Sequence, residues 1–166
     1  MDKYLTIEMA SGSIKIEMLP NVAPKHVERI STLASQGAYD GIAFHRVIDG
    51  FMAQTGDVQH GKVGEDGGCS PSAGTGGSDL GNVPAEFSSL PFDRGVCGMA
   101  RAQDPNSANS QFFIMFQDGH FLNNNYTVWG QVVEGMDVVD GIKRGAGGNG
   151  AVSEPDAMIK VSVSAD

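Results

Sequence analysis

Apolar and polar residues alternate through Thr6-Ile7-Glu8-Met9 and again through Ile14-Lys15-Ile16-Glu17-Met18, with Ser11-Gly12 between them. A period of two around a turn pair predicts a β-hairpin over 3–9 and 13–19. The period then changes. Pro24 opens a stretch in which Val27, Ile30, Leu33 and Ala34 share one helical face, and Gly37 supplies the stop. Strands are predicted again at 44–48 and 51–55, then at 95–101, 112–116 and 128–133. A short helix is predicted near 135–142, ending before Gly145. Met158-Ile159-Lys160-Val161-Ser162-Val163 reads as the closing strand. Residues 56–82 carry Gly-Gly, Asp-Gly, Ser-Pro and Gly-Thr-Gly-Gly elements and read as loop. An irregular segment of that length inside a compact domain is either functional or mobile. The Gly145-Gly147-Gly148-Gly150 run reads as a turn-rich connection.

Eight or so strands with two good helices predict a mainly β, mostly antiparallel domain. Closure into a barrel would remove exposed edges. A small barrel fills its interior with side chains, so a binding site belongs on the outer wall or rim. The chain has no internal repeat and no linker-like stretch, and residues 1–166 are read as one domain.

Composition narrows the partners. The net charge is −9 and the pI about 4.7, which argues against nucleic acid or an anionic membrane, both of which attract basic surfaces. The plainer reading of the acidity is a solvated surface that aids solubility. No apolar run approaches membrane-spanning length, and Met1-Asp2-Lys3-Tyr4-Leu5-Thr6-Ile7-Glu8 lacks a signal-peptide apolar region. A cytoplasmic protein is the expectation. Two cysteines make no disulfide framework. Cys97 reads as a small core thiol, and Cys69 lies in a Gly-rich loop. Neither has a histidine at metal-ligand spacing, so no metal site is expected.

The chemistry gathers in two stretches, Phe44-His45-Arg46-Val47-Ile48-Asp49-Gly50-Phe51-Met52-Ala53-Gln54-Thr55-Gly56-Asp57 and Ser110-Gln111-Phe112-Phe113-Ile114-Met115-Phe116. On a strand, Phe44, Arg46 and Ile48 share one face and His45 and Val47 the other. If 45 and 47 point inward, Arg46 stands on the outer wall among Phe51, Met52 and Gln54. The plainer alternative is an arginine paired with a surface carboxylate. Phe51, Met52, Phe113, Phe121 and Leu122 could line a shallow apolar pocket, although each taken singly is more often a core residue. The polar loop at 101–111 would offer backbone groups and the Gln111 amide to an extended peptide, or serve as plain surface. Gly74-Thr75-Gly76-Gly77 lacks the Lys-Ser/Thr and the strand-to-helix setting of a phosphate loop and reads as a turn. His26 reads as solvent-facing on the first helix, His45 as a hydrogen-bonded core residue, and His60 and His120 as loop residues. No serine sits in a nucleophile-elbow pattern. An apolar pocket with one guanidinium and no acid–base pair is a poor kit for a hydrolase. It suits a reaction whose barrier is a bond rotation.

These residues resemble the cyclophilin family of peptidyl-prolyl cis-trans isomerases. The resemblance runs from the first hairpin to the last strand. It rests on Phe44-His45-Arg46 through Gln54, on Gly74-Thr75-Gly76-Gly77, on Met99-Ala100-Arg101-Ala102 and on Asn109-Ser110-Gln111-Phe112-Phe113-Ile114. It implies an eight-stranded antiparallel closed barrel capped by two α-helices, acting as a monomer without a cofactor. It further implies Arg46 as the catalytic arginine, Gln54 as its supporting amide, and Phe51, Met52, Phe113 and Leu122 as the proline pocket. Ala100, Arg101 (through its main chain) and Gln111 would form the groove for residues preceding the proline. Partners would be proline-containing peptides in nascent or unfolded proteins. Two positions depart from the best-known eukaryotic pattern: Phe121 replaces a tryptophan and Tyr126 a histidine, as in the bacterial-type branch. Both keep the pocket aromatic. Loss of the indole N–H implies at most weak cyclosporin binding. The segment 58–73 is longer than in compact members. The competing readings are a proline-recognition module without catalysis and an interaction protein using the 56–82 loop; a hydrolase comes last.

Overall fold

The structure is a computed structural model that describes residues 3–64, 67–68, 70, 72–145, 150–152 and 154–165. In chain order its strands are β1 (Tyr4–Met9), β2 (Gly12–Met18), β3 (Ile42–Ala43), β4 (Arg46–Ile48), β5 (Met52–Thr55), β6 (Val96–Met99), β7 (Phe112–Met115), β8 (Val128–Glu134), β9 (Ala157–Met158) and β10 (Lys160–Ser164). The helices are α1 (Pro24–Ser35) and α2 (Met136–Asp140), with one 3-10 turn at His120–Leu122.

Eight strands form one antiparallel sheet in the order β10-β1-β2-β8-β6-β7-β5-β4, and β3 pairs with β9 in a separate two-stranded piece. The predicted hairpin is present, with Leu5 opposite Ile16 and Ile7 opposite Ile14. All four of these side chains are fully buried, as the alternation requires. The sheet curls around a core that includes Phe44, Phe112 and Trp129, and α1 adds Val27, Ile30 and Leu33 to it. The three rings of Tyr39, Phe112 and Trp129 meet edge-to-face, with centroids 5.5 and 5.2 Å apart. With the interior so filled, recognition is left to the outside.

Closure is the first correction. Among the described residues β4 and β10 share no ladder, so the sheet is a barrel with a seam. The free edge of β4 is met by Gly145 and by Gly150–Val152. Val47 donates its N–H to the Gly150 carbonyl, Gly145 donates to the Val47 carbonyl, and Val152 donates to the His45 carbonyl. A second correction concerns the predicted strand at 44–48, which begins only at Arg46. Phe44 lies outside the ladder and turns into the core with 0% exposure, so it does not share the Arg46 face. Strict alternation fails there because Phe44 donates its backbone N–H to Asp156 outside any ladder.

The histidines bring two more. His26 is buried, not solvent-facing: its Nδ1 lies 2.6 Å from a Glu86 carboxylate oxygen. The same carboxylate accepts the N–H groups of Lys25 and His26 and so caps α1 from a distant loop, replacing a local cap. His45 is buried as predicted, but neither ring nitrogen has a hydrogen-bond partner among the described residues. Cys97 is a buried core thiol whose pKa burial pushes up; Cys69 and Gly147-Gly148 lie outside the described residues. No helix is long and apolar enough to cross a membrane.

Candidate active site

The register of three strands builds the site. Arg46 on β4 lies opposite Gln54 on β5, and Gln54 lies opposite Phe113 on β7. On β6, Gly98 continues the same row beside Phe113. Side chains in such a row stand on one face of the sheet at the inter-strand spacing of about 4.8 Å. Their neighbours Val47, Ala53, Phe112 and Ile114 point into the core, which leaves the row on the outer wall. Here the sequence expectation and the structure agree.

A second apolar cluster underlies this wall. Met52, Phe92, Phe113, Met115, Leu122 and Val128 pack together, with Phe51, Ala100 and Tyr126 partly buried against them. Phe113 stacks on Phe92 with centroids 5.7 Å apart, and Tyr126 meets Phe113 edge-to-face at 5.8 Å. Gly98 makes the stack possible: a Cβ there would lie 2.5 Å from the Phe113 ring and 2.6 Å from the Phe92 ring. Phe121, at 70% exposure, leans on Phe51 at the mouth.

The result is a concavity of about 280 Å³ lined by Arg46, Phe51, Met52, Gln54, Ala100, Arg101, Phe113, Phe121, Leu122 and Tyr126. A second concavity of about 200 Å³ adjoins it across Gln54, Ala100 and Arg101 and is lined also by Gly74, Thr75, Gly76 and Gln111. Ten of the sequence-predicted residues thus meet in the first hollow, and Gln111 lies in the second.

Polar groups run between the two hollows as one chain. The Arg46 guanidinium donates to the Gln54 amide oxygen at 3.2 Å. The Gln54 amide nitrogen donates to the Gln111 amide oxygen at 3.0 Å, and the Gln111 nitrogen donates to the Gly76 carbonyl at 2.9 Å. Each amide is oriented by the next, so Arg46 is aimed by a relay that ends on the backbone of the Gly-rich loop. Arginine suits such a post because it stays charged and presents fixed donors.

The loop is held in turn by Asp57, the end of the first stretch, to which the sequence reading gave no role. One carboxylate oxygen accepts the N–H groups of Gln59 and His60, at 3.0 and 2.8 Å. The other accepts those of Gly74 and Gly76, at 2.7 and 2.9 Å. Burial alone would raise this carboxyl's pKa, but the four N–H donors outweigh it and hold the pKa below its ordinary value. Gly76 must be glycine, since a Cβ there would stand 2.6 Å from an Asp57 oxygen. The available signal was an aspartate two residues beyond a strand, after Gly56 and before a glycine-rich loop, which is the setting of an Asx turn. Asn109, read from the sequence only as part of the family motif and the polar loop, also has a holding role: its side chain accepts from the Ser78 N–H and donates to the Gly81 carbonyl, fixing the far end of the same loop.

Among the described residues, the one grouping with metal-ligand geometry is Asp93, Asp118 and His120, all exposed and none of them lining either hollow. His120 is already paired to Asp93 at 2.7 Å.

Comparison with known proteins gives the same picture. Residues 4–163 match the family described as cyclophilin type peptidyl-prolyl cis-trans isomerase/CLD. A probable peptidyl-prolyl cis-trans isomerase of Brucella suis is 56% identical over 166 residues, covering 99% of this chain and 84% of that one. A peptidyl-prolyl cis-trans isomerase of Helicobacter pylori is 38% identical over 146 residues, covering 86% and 81%. Among solved structures, cyclophilin AquaCyp293 from Hirschia baltica aligns with a TM-score of 0.79 at 28% identity, over 96% of this chain and 73% of that one. A Cryptosporidium parvum cyclophilin crystallised in the presence of the dipeptide Ala-Pro aligns at 0.81 with 23% identity, over 98% and 99%, a likeness of fold. The chain therefore belongs to the cyclophilin-type peptidyl-prolyl cis-trans isomerases.

Proposed function

We propose that the hollow on the outer wall is where this isomerase turns X-Pro bonds, with Arg46 as the group that favours the twisted amide. An X-Pro amide resists rotation because nitrogen shares its lone pair with the carbonyl, and uncatalysed exchange faces a barrier of about 20 kcal/mol. Conjugation is lost at the transition state, and the lone pair returns to nitrogen. A donor that meets that lone pair, or that holds the neighbouring carbonyl, lowers the barrier by about 1.4 kcal/mol for each factor of ten in rate.

Arg46 is the donor in this reading. Phe51, Met52, Phe113 and Leu122 receive the proline ring, with Phe121 and Tyr126 at the mouth. Ala100, the Arg101 main chain and Gln111 receive the residues before it. The apolar wall excludes water, which strengthens the hydrogen bond from the guanidinium. No proton changes hands, so the row needs no acid–base pair. Extended proline-bearing segments of nascent or refolding chains are the proposed substrates, met in the cytoplasm.

The observation that carries the reading is the Arg46-Gln54-Phe113 row. It sets one oriented guanidinium against an aromatic wall. The test is cis-to-trans exchange of an Ala-Pro peptide followed by NMR, with the natural protein and with Arg46→Ala. Acceleration that falls at least about tenfold in a folded variant is expected, one lost charge-assisted bond amounting to roughly 1.5–3 kcal/mol. Peptide binding with no loss of acceleration in Arg46→Ala would remove the arginine from the mechanism.

A further inference from the structure

Arg101 does more than lend its main chain. It follows β6 and lines both hollows. Its Nε and Nη2 donate to the Asn125 carbonyl, at 3.1 and 2.6 Å. Its Nη1 donates to the carbonyls of Ala102 and Gln103, at 2.9 and 3.2 Å. Its planar face lies over the Tyr126 ring, 4.6 Å from the centroid. Four hydrogen bonds and a cation–π contact thus fix one side chain at the rim, at the cost of its rotamer freedom.

The partners divide between the two hollows. Ala102 and Gln103 begin the polar loop beside the groove, and the Ala102 N–H is also taken by the Ser107 hydroxyl at 2.8 Å. Asn125 and Tyr126 belong to the turn that closes the proline pocket, where the Tyr126 ring edges against Phe113. We infer that the Arg101 guanidinium is a positioning residue that couples the two subsites: it ties the groove's backbone to the pocket's aromatic wall, so a chain seated in the groove meets a preformed proline pocket. This rests on the assignment of the hollows to substrate given above. A lysine could not replace it. Its ammonium is a point charge without a planar fork, and it cannot span three carbonyls while lying flat on a ring.

A substrate-length comparison separates coupling from mere structural support. Exchange is measured by NMR on two peptides, one with Ala-Pro alone and one with two further residues before it. The natural protein, Arg101→Met, Arg101→Lys and Tyr126→Leu are compared, each checked for a cooperative urea transition. The longer peptide is expected to gain from its groove contacts in the natural protein, and Arg101→Met should cut that gain at least about threefold. Arg101→Lys should behave like Arg101→Met, because charge alone does not form the tie. Combining Arg101→Met with Tyr126→Leu should cost less than the two losses added together. An unchanged length gain in Arg101→Met, full rescue by lysine, or strict additivity with Tyr126→Leu would each overturn the coupling. Any of these in a chain that still isomerises, and still needs Arg46, leaves the proposed function standing. Absence of acceleration in the natural protein would bring down both.

Discussion

Replacing Asp57 by asparagine keeps the shape of the side chain and turns half of its chemistry against its surroundings. Four backbone N–H groups converge on the carboxylate, two on each oxygen. Asparagine offers one oxygen and one NH2, so at least two donors then face a donor. Hydrogen bonds to a charged group are worth roughly 1.5–3 kcal/mol each, which sets the loss at roughly 3–6 kcal/mol if nothing moves. Gly74 is exposed and Gly76 half-buried, so both N–H groups can turn to water. The expected cost is therefore near the lower end, about 3 kcal/mol. Activity should fall as well. Gly76 is the last link of the relay that orients Gln111, Gln54 and Arg46, and a displaced loop lets the guanidinium wander. Urea unfolding at pH 7 gives the stability, and the side-chain amide resonances of Gln54 and Gln111 report the relay. Acidification supplies an internal check. A carboxyl held below its ordinary value contributes stability above pH 3.8 and loses it as the pH falls through the depressed folded value. The substituted amide cannot titrate, so the gap between natural protein and variant should shrink in acid. A variant within about 0.5 kcal/mol of the natural protein, with both amide resonances unmoved, would refute the account of Asp57 as the anchor of the relay.

Gly98→Ala should push the Phe113 and Phe92 rings apart, costing about 1–3 kcal/mol and weakening proline binding more than it slows folded-state rotation. Urea unfolding and peptide titration read the two effects. Phe121→Trp adds one N–H donor at the mouth of the hollow, worth about 1 kcal/mol, so the expected weak affinity for cyclosporin should rise about fivefold in calorimetry; no gain would remove the indole argument. His26 and His45 are held below their ordinary pKa chiefly by burial, against the pull of Glu86 and Asp57 respectively. Their neutral rings contribute stability that is intact above pH 6.5 and lost as the pH falls through the depressed values. The exposed His120–Asp93 pair pulls the other way, but solvent screens it. The urea midpoint should therefore drop between about pH 7.5 and about pH 5.5; a rise would contradict the burial argument.

Much of this was legible in the chain because strand period and turn chemistry are local. The β1–β2 hairpin, α1 opened by Pro24, and the β5 and β7 strands follow from spacing alone. The outward face of Arg46 followed from alternation plus the rule that small barrels fill their interiors, whereas Gln54 and Phe113 joined it only through the family resemblance, because the strand register that lines them up is long-range. What escaped depended on partners far along the chain. His26 looked solvent-facing because Glu86, sixty residues away, is invisible from α1. Asp57 looked like loop because its donors at Gly74 and Gly76 arrive from the far side of that loop. The strands β3 and β9 are two residues each, too short to carry a period. Phe44 was turned the wrong way because alternation was carried past the point where the ladder begins.

The seam beside β4 has one more consequence. The strand that bears Arg46 is an edge of the sheet, and its outer side is closed by an irregular segment around Gly145 and Gly150–Val152. Bare edges invite pairing with other chains, so this strap acts as a guard against self-association as much as a structural link. The opposite flank of β4 is paired to β5, so the row of Arg46, Gln54 and Phe113 rests on the protected side of the sheet.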